Sequence, residues 1–173
     1  MTFAKACGHF SGFTSAHESR DKDLKPTYPD YHIESCWHAI WKLDWLTGRY
    51  PDALFVYLRR NKHDVINSWI QRPRLDMLAD GMMRKQLKTE KERLAFAHYW
   101  YAFVTSLIHN YFDNTAMKYR FMVLEVPPTF DGWKELCNRL VVSRDEIKPS
   151  FEEWETKHNA TKAKGEKNGA GTD

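Results

Sequence analysis

The spacing of apolar residues changes period several times along the chain, and each change marks an element. Ala53-Leu54-Phe55-Val56-Tyr57-Leu58 is an unbroken apolar run rich in β-formers, the pattern of a short buried strand. Arg59, Arg60 and Asn61 end it, and Val65, Ile66 and Trp69 then recur at helical spacing. Asn61 stands where an N-cap belongs, and Asp64 faces the positive end of the helix dipole. The unit predicts strand, tight basic turn, helix. Further on, Thr89-Glu90-Lys91-Glu92 has the form of a capping box. It opens the longest predicted helix, to about Asp113, with Leu94, Ala97, Tyr101, Val104, Leu107, Ile108 and Tyr111 as its apolar face. Tyr119 to Val126 predicts a second strand, and Asp131 to Leu140 a helix after it.

The segments between are less regular. Residues 1–12 are too short for more than one helical turn. Residues 19–31 are polar, carry Pro26 and Pro29, and read as a loop able to cover a substrate. From Ile33 the chain is dense in aromatics and is predicted helical to Arg49. Trp37, Trp41 and Trp45 recur there at helical spacing as a core stripe or, failing that, a wall for a stacked adenine. His38 among them reads as a core histidine. Residues 71–88 are basic and mixed, broken at Arg72-Pro73-Arg74 before a helix over 77–87, whose Met82 and Met83 read as packing. Trp154 is expected to pack back on the core. The Lys-, Gly- and Asn-rich residues 155–173 read as a flexible tail, which leaves one domain over 1–154.

Bulk composition narrows the function classes. The 173 residues suffice for one domain with a substantial core, and 42% hydrophobic with 14% aromatic residues suit a globular chain. A net charge of +3 does not argue for nucleic acid, although a local basic pocket for one nucleotide is compatible with it. Cys7, Cys36 and Cys137 are odd in number and far apart, so they predict reduced thiols rather than a disulfide framework or a metal site. No secretory signal and no apolar stretch of about 20 residues is visible, which predicts a cytoplasmic protein with no membrane partner.

The chemistry concentrates at the first strand–helix turn. Ligands of open α/β sheets gather at the carboxyl ends of strands, where Arg60 supplies a planar fork for a phosphate. Ser68, eight residues on and about two turns along the helix, adds a hydroxyl to the same pocket. Read from residues alone, this is an anion site of unknown ligand. The segment Tyr57 to Trp69, YLRRNKHDVINSW, resembles the 3′-phosphate-binding segment of sulfotransferases, enzymes that use 3′-phosphoadenosine 5′-phosphosulfate (PAPS) as donor. Arg60 and Ser68 fall on the two phosphate-binding positions of that pattern, and Lys62 stands where the family usually has Pro.

The resemblance extends along the chain with less specificity. Gly12 to Glu18, GFTSAHE, is similar to the second strand of bacterial and viral sulfotransferases, and it makes His17 and Glu18 the candidate bases for an acceptor hydroxyl. Tyr119 to Val126 resembles a late core strand, with Glu125 near an acidic position. Lys162, Lys164 and Gly165 resemble a basic segment that helps hold the 3′-phosphate. The family's opening strand and phosphate loop, which hold the 5′-phosphosulfate, do not precede Thr2. The resemblance therefore implies an N-terminally truncated, helix-rich member with low or no activity, or one that holds the sulfate end differently.

What the resemblance implies in full is an α/β, P-loop-NTPase-like three-layer sandwich with a small parallel sheet. Its chemistry is transfer of a sulfuryl group from PAPS, as co-substrate and without a metal, to a hydroxyl or amine on a small-molecule or glycan acceptor. Two other readings remain open: a non-catalytic degenerate domain that binds a nucleotide or another anion, and a helical protein-interaction module.

Overall fold

The computed structural model describes residues 2–20, 22–84 and 86–169. The chain is α/β and helix-rich, 59% helical, with two small two-stranded sheets. It divides into two compact units, residues 1–56 with 127–173, and residues 57–126.

The first unit begins with helix α1 (Thr2–Cys7), followed by strands β1 (Thr14–His17) and β2 (His32–Ser35). The two strands pair in parallel, Thr14 opposite His32 and Ala16 opposite Glu34. Paired residues share a sheet face, so Thr14, Ala16, His32 and Glu34 line one side, and Ser15, His17, Ile33 and Ser35 the other. The second side meets α1, where the Ser15 hydroxyl donates to the Ala4 carbonyl at 2.7 Å and Ile33 is buried. A 3₁₀ helix, Trp37–Lys42, leads into α2 (Leu43–Arg49).

Here the structure departs from the expected aromatic stripe. Trp37 and Trp41 are 40% and 48% exposed, and Leu43 and Leu46 are the buried residues instead. The reason is local: a 3₁₀ turn has three residues, so positions four apart do not share a face.

The unit's core lies between α1, α6 (Phe130–Arg139) and α7 (Arg144–Gly169). Phe3 meets Trp133 and Trp154 edge-on at 6.1 and 5.7 Å, and the two indoles lie 5.3 Å apart. Cys7, Phe10, Leu136, Cys137 and Ile147 are buried with them, and each such aliphatic or phenyl side chain contributes roughly 1.5–3 kcal/mol. Trp154 thus packs as expected, and α7 continues past it to Gly169 where a tail was expected from residue 155. Lys157, Lys162, Lys164 and Lys167, with Ala160 and Ala163, are good helix formers, so the segment has helical propensity despite its polarity.

In the second unit, β3 (Phe55–Arg60), which begins just before it, pairs with β4 (Phe121–Val126). Between them run α3 (Lys62–Ile70), α4 (Arg74–Met83) and α5 (Glu90–Asp113), then a 3₁₀ turn over Ala116–Arg120. The Thr89–Glu92 capping box forms as expected: Glu92 N–H donates to Thr89 Oγ1 at 3.2 Å, and Thr89 N–H donates to Glu92 Oε2 at 3.1 Å. The buried face of α5 is rotated from the expected one. Phe96, Ala97, Trp100 and Phe112 are buried, and Leu94 is exposed. Phe96 and Ala97 close a core with Ile66 of α3 and Leu75 and Ala79 of α4.

Arg93 ties this core's rim. It donates to the Ile70 carbonyl from Nε at 3.1 Å and from Nη2 at 2.8 Å, reaches the Arg72 carbonyl at 3.1 Å, and pairs with Asp76. One planar fork thereby occupies the carbonyl of Ile70 at the end of α3 and shares that of Arg72, which also accepts from Leu75 N–H at 3.2 Å. No described helix is long and apolar enough to cross a membrane.

Candidate functional site

The strand–turn–helix unit forms, but its strand lies two residues later than the apolar run, takes in both arginines and is half-buried rather than buried. Residues Phe55 to Arg60 are a strand, Asn61 is its turn, and α3 follows. The Asn61 carboxamide oxygen accepts from His63 N–H at 2.9 Å and Asp64 N–H at 3.4 Å, a side-chain N-cap. Two of the first N–H groups of α3 are therefore occupied by the chain itself.

The adjacent arginines differ sharply. Successive strand residues point to opposite faces. Arg59, on the side of Tyr57, donates from Nε to Glu125 Oε1 of β4 at 2.7 Å, and Nη2 reaches the same oxygen. Arg60 is exposed and forms no ion pair among the described residues. Ser68 is half-buried on α3, and its hydroxyl makes no hydrogen bond among the described residues. The rise from Lys62 to Ser68 is about 9 Å along the helix axis. Lys62 lies 5.9 Å over the Tyr101 ring. Arg60 and Ser68 both lie in the second unit, while His17 and Glu18 lie in the first.

His17 is the last residue of β1, exposed, with Nδ1 3.3 Å from the Ser35 hydroxyl. Glu18 is half-buried at φ 54°, a left-handed conformation uncommon for a non-glycine residue, and its N–H donates to the Ser35 carbonyl at 3.0 Å. Lys162 and Lys164 fall on α7, and their side chains lie outside the described residues.

The structure also assembles a polar chain on the opposite sheet face. Thr14 Oγ1 is 2.8 Å from His32 Nδ1, and His32 Nε2 is 3.5 Å from Glu34 Oε2. Glu34 accepts from the Ser19 hydroxyl and from Ser19 N–H at 3.4 Å. The side chains of His32 and Glu34 are each only 10% exposed. Tyr28 stacks on the imidazole at 5.4 Å with a 9° interplanar angle, and it is pinned through its backbone: its N–H donates to the Tyr50 hydroxyl at 2.5 Å, and that hydroxyl donates to its carbonyl at 3.2 Å. Burial, and after it the Glu34 carboxylate, push the Tyr28 phenol well above its ordinary range, so the ring stays neutral.

Sequence spacing offers no signal for this chain, because Thr14 and His32 are 18 residues apart and meet only through the parallel register. Among the described residues no group of three or more His, Cys, Asp or Glu side chains is placed to hold a metal ion. No protein-family model, no curated protein and no solved structure matches this chain.

Proposed function

We propose that the turn after β3 holds the 3′-phosphate of PAPS, and that the protein is a sulfotransferase of P-loop-like three-layer architecture acting in the cytoplasm. One observation carries the reading. A strand ends on an exposed arginine with no partner among the described residues, its neighbour is consumed by Glu125, and a capped helix presents a serine eight residues on. Arg60 supplies a bidentate donor fork and Ser68 a hydroxyl, and neither is committed elsewhere among the described residues. Sulfuryl transfer, like phosphoryl transfer, asks for positioning, charge stabilisation of the leaving phosphate, and a base for the incoming hydroxyl or amine. His17 and Glu18 are the candidates for that base, and Lys162 and Lys164 for further contacts to the 3′-phosphate.

Thermal unfolding with adenosine 3′,5′-bisphosphate tests the binding step. Saturation at about a hundred times Kd stabilises by roughly 2.7 kcal/mol, and Arg60→Ala abolishes the shift, while Arg60→Lys restores it only in part. No shift at millimolar ligand, or a shift indifferent to Arg60→Ala, overturns the reading. Binding without sulfuryl transfer to any acceptor favours the non-catalytic nucleotide-binding domain. A protein-interaction role is the second reading, on the exposure of Trp37 and Trp41.

A further inference from the structure

The chain Thr14–His32–Glu34 has the order of a nucleophile, its base and the group that orients the base. Its polarity runs from solvent inward: the Thr14 side chain is exposed, while the imidazole and the carboxylate are each nine-tenths buried. A purely structural clasp has no need for its hydroxyl to be the outer member. In the tautomer that carries its proton on Nε2, 3.5 Å from Glu34, Nδ1 presents its lone pair to Thr14 Oγ1 at 2.8 Å, within the range of a working base. Glu34 is itself held by both donors of Ser19, which fix the carboxylate on the imidazole. The stacked Tyr28 ring covers one face of the imidazole against water.

From this geometry we propose that the first unit carries an acyl-transfer site in which Thr14 is the nucleophile, His32 the base and Glu34 the positioning residue, taking small activated carboxylic esters. Thr14 Oγ attacks the ester carbonyl carbon as its proton passes to His32 Nδ1. The bond from that carbon to the leaving oxygen breaks, and the alcohol departs with the proton returned by His32. Water, deprotonated by the same nitrogen, then attacks the acyl-threonine, releases the carboxylic acid and restores the hydroxyl. The site stands apart from the nucleotide reading, and either can fail alone.

The test is the full-length protein with p-nitrophenyl acetate, followed by peptide mass spectrometry. The expected result is a burst of p-nitrophenolate stoichiometric with protein and an acetyl group on Thr14. Thr14→Val and His32→Gln abolish the burst, and Glu34→Gln slows it by on the order of 10²–10⁴-fold. Thr14→Ser preserves it. Ser19 and Ser15 are internal controls, because their hydroxyls donate to the Glu34 carboxylate and to the Ala4 carbonyl rather than to an imidazole. Acetylation at either serine or only on lysines, or no burst above free imidazole, overturns the proposal. Should the His32 variant fail to fold, a fluorophosphonate probe on the unmodified protein decides. Attack by Thr14 expels fluoride and leaves the phosphonyl group on that residue, and its absence there is equally fatal.

Discussion

Replacing Val141 with glycine is expected to stabilise the protein, and the structure gives the size. α6 ends in a Schellman motif: Val142 N–H donates to the Cys137 carbonyl at 2.9 Å and Val141 N–H to that of Asn138 at 3.2 Å. Its left-handed position, normally glycine, is here Val141 at φ 58°. An L-residue in that region costs about 1–2 kcal/mol, and a β-branched one is the least suited to it. Val141 is 88% exposed, so its loss removes almost no packing. Against the relief stands the greater freedom of glycine in the unfolded chain, about 0.4–1 kcal/mol. The difference leaves roughly 0.5–1 kcal/mol in favour of Val141→Gly, about 1–4 °C in Tm for a chain of this size. Thermal unfolding followed by the fluorescence of Trp133 and Trp154, both buried in the same unit, measures it. Val141→Asn, which tolerates the left-handed region better than valine, is expected to fall between the two. A glycine variant no more stable than the parent would refute the strain argument.

Three further outcomes follow from the same core. Ser150→Ala removes the acceptor at 2.9 Å of the fully buried Trp133 indole N–H and is expected to cost about 1–3 kcal/mol in urea unfolding. Trp154 Nε1 is buried with no acceptor among the described residues, so Trp154→Phe loses less than Trp133→Phe, and equal losses would contradict the account. Burial raises the Cys137 thiol from 9.0 to about 11 and lifts Cys7 further still. The folded thiol keeps its proton while the unfolded one loses it. The stabilisation is thus intact below pH 9 and declines from pH 9 to 11, at up to about 1.4 kcal/mol per pH unit for each thiol. Unfolding free energies across that window are expected to fall less steeply in Cys137→Ala, and identical slopes would remove the thiol from the explanation.

Elements written in local chemistry were legible. The capping box at Thr89 and the strand, cap and helix over Phe55–Ile70 each rest on residues within a few positions of one another. Elements that depend on neighbours were not. β2 is four residues, three of them only half-buried, inside a stretch whose tryptophans suggested a helix. The buried face of α5 differs from the one its apolar spacing predicts because Leu94 is no less apolar than Phe96, and only α3 and α4 decide which is covered.

The same distinction separates the two candidate sites. The resemblance puts Arg60, not Arg59, on the phosphate position, and in the structure Glu125, 66 residues away, occupies Arg59 while Arg60 forms no ion pair among the described residues. The Thr14–His32 contact has no local signature, since it exists only in one register of β1 on β2. A slip by one residue would set Ile33 beside Thr14 and turn His32 to the other face. What holds the register is the opposite face, where Ile33 is buried and Ser15 is bound to the Ala4 carbonyl of α1. Packing of two residues that take no part in the chemistry therefore decides whether a hydroxyl and an imidazole meet at all.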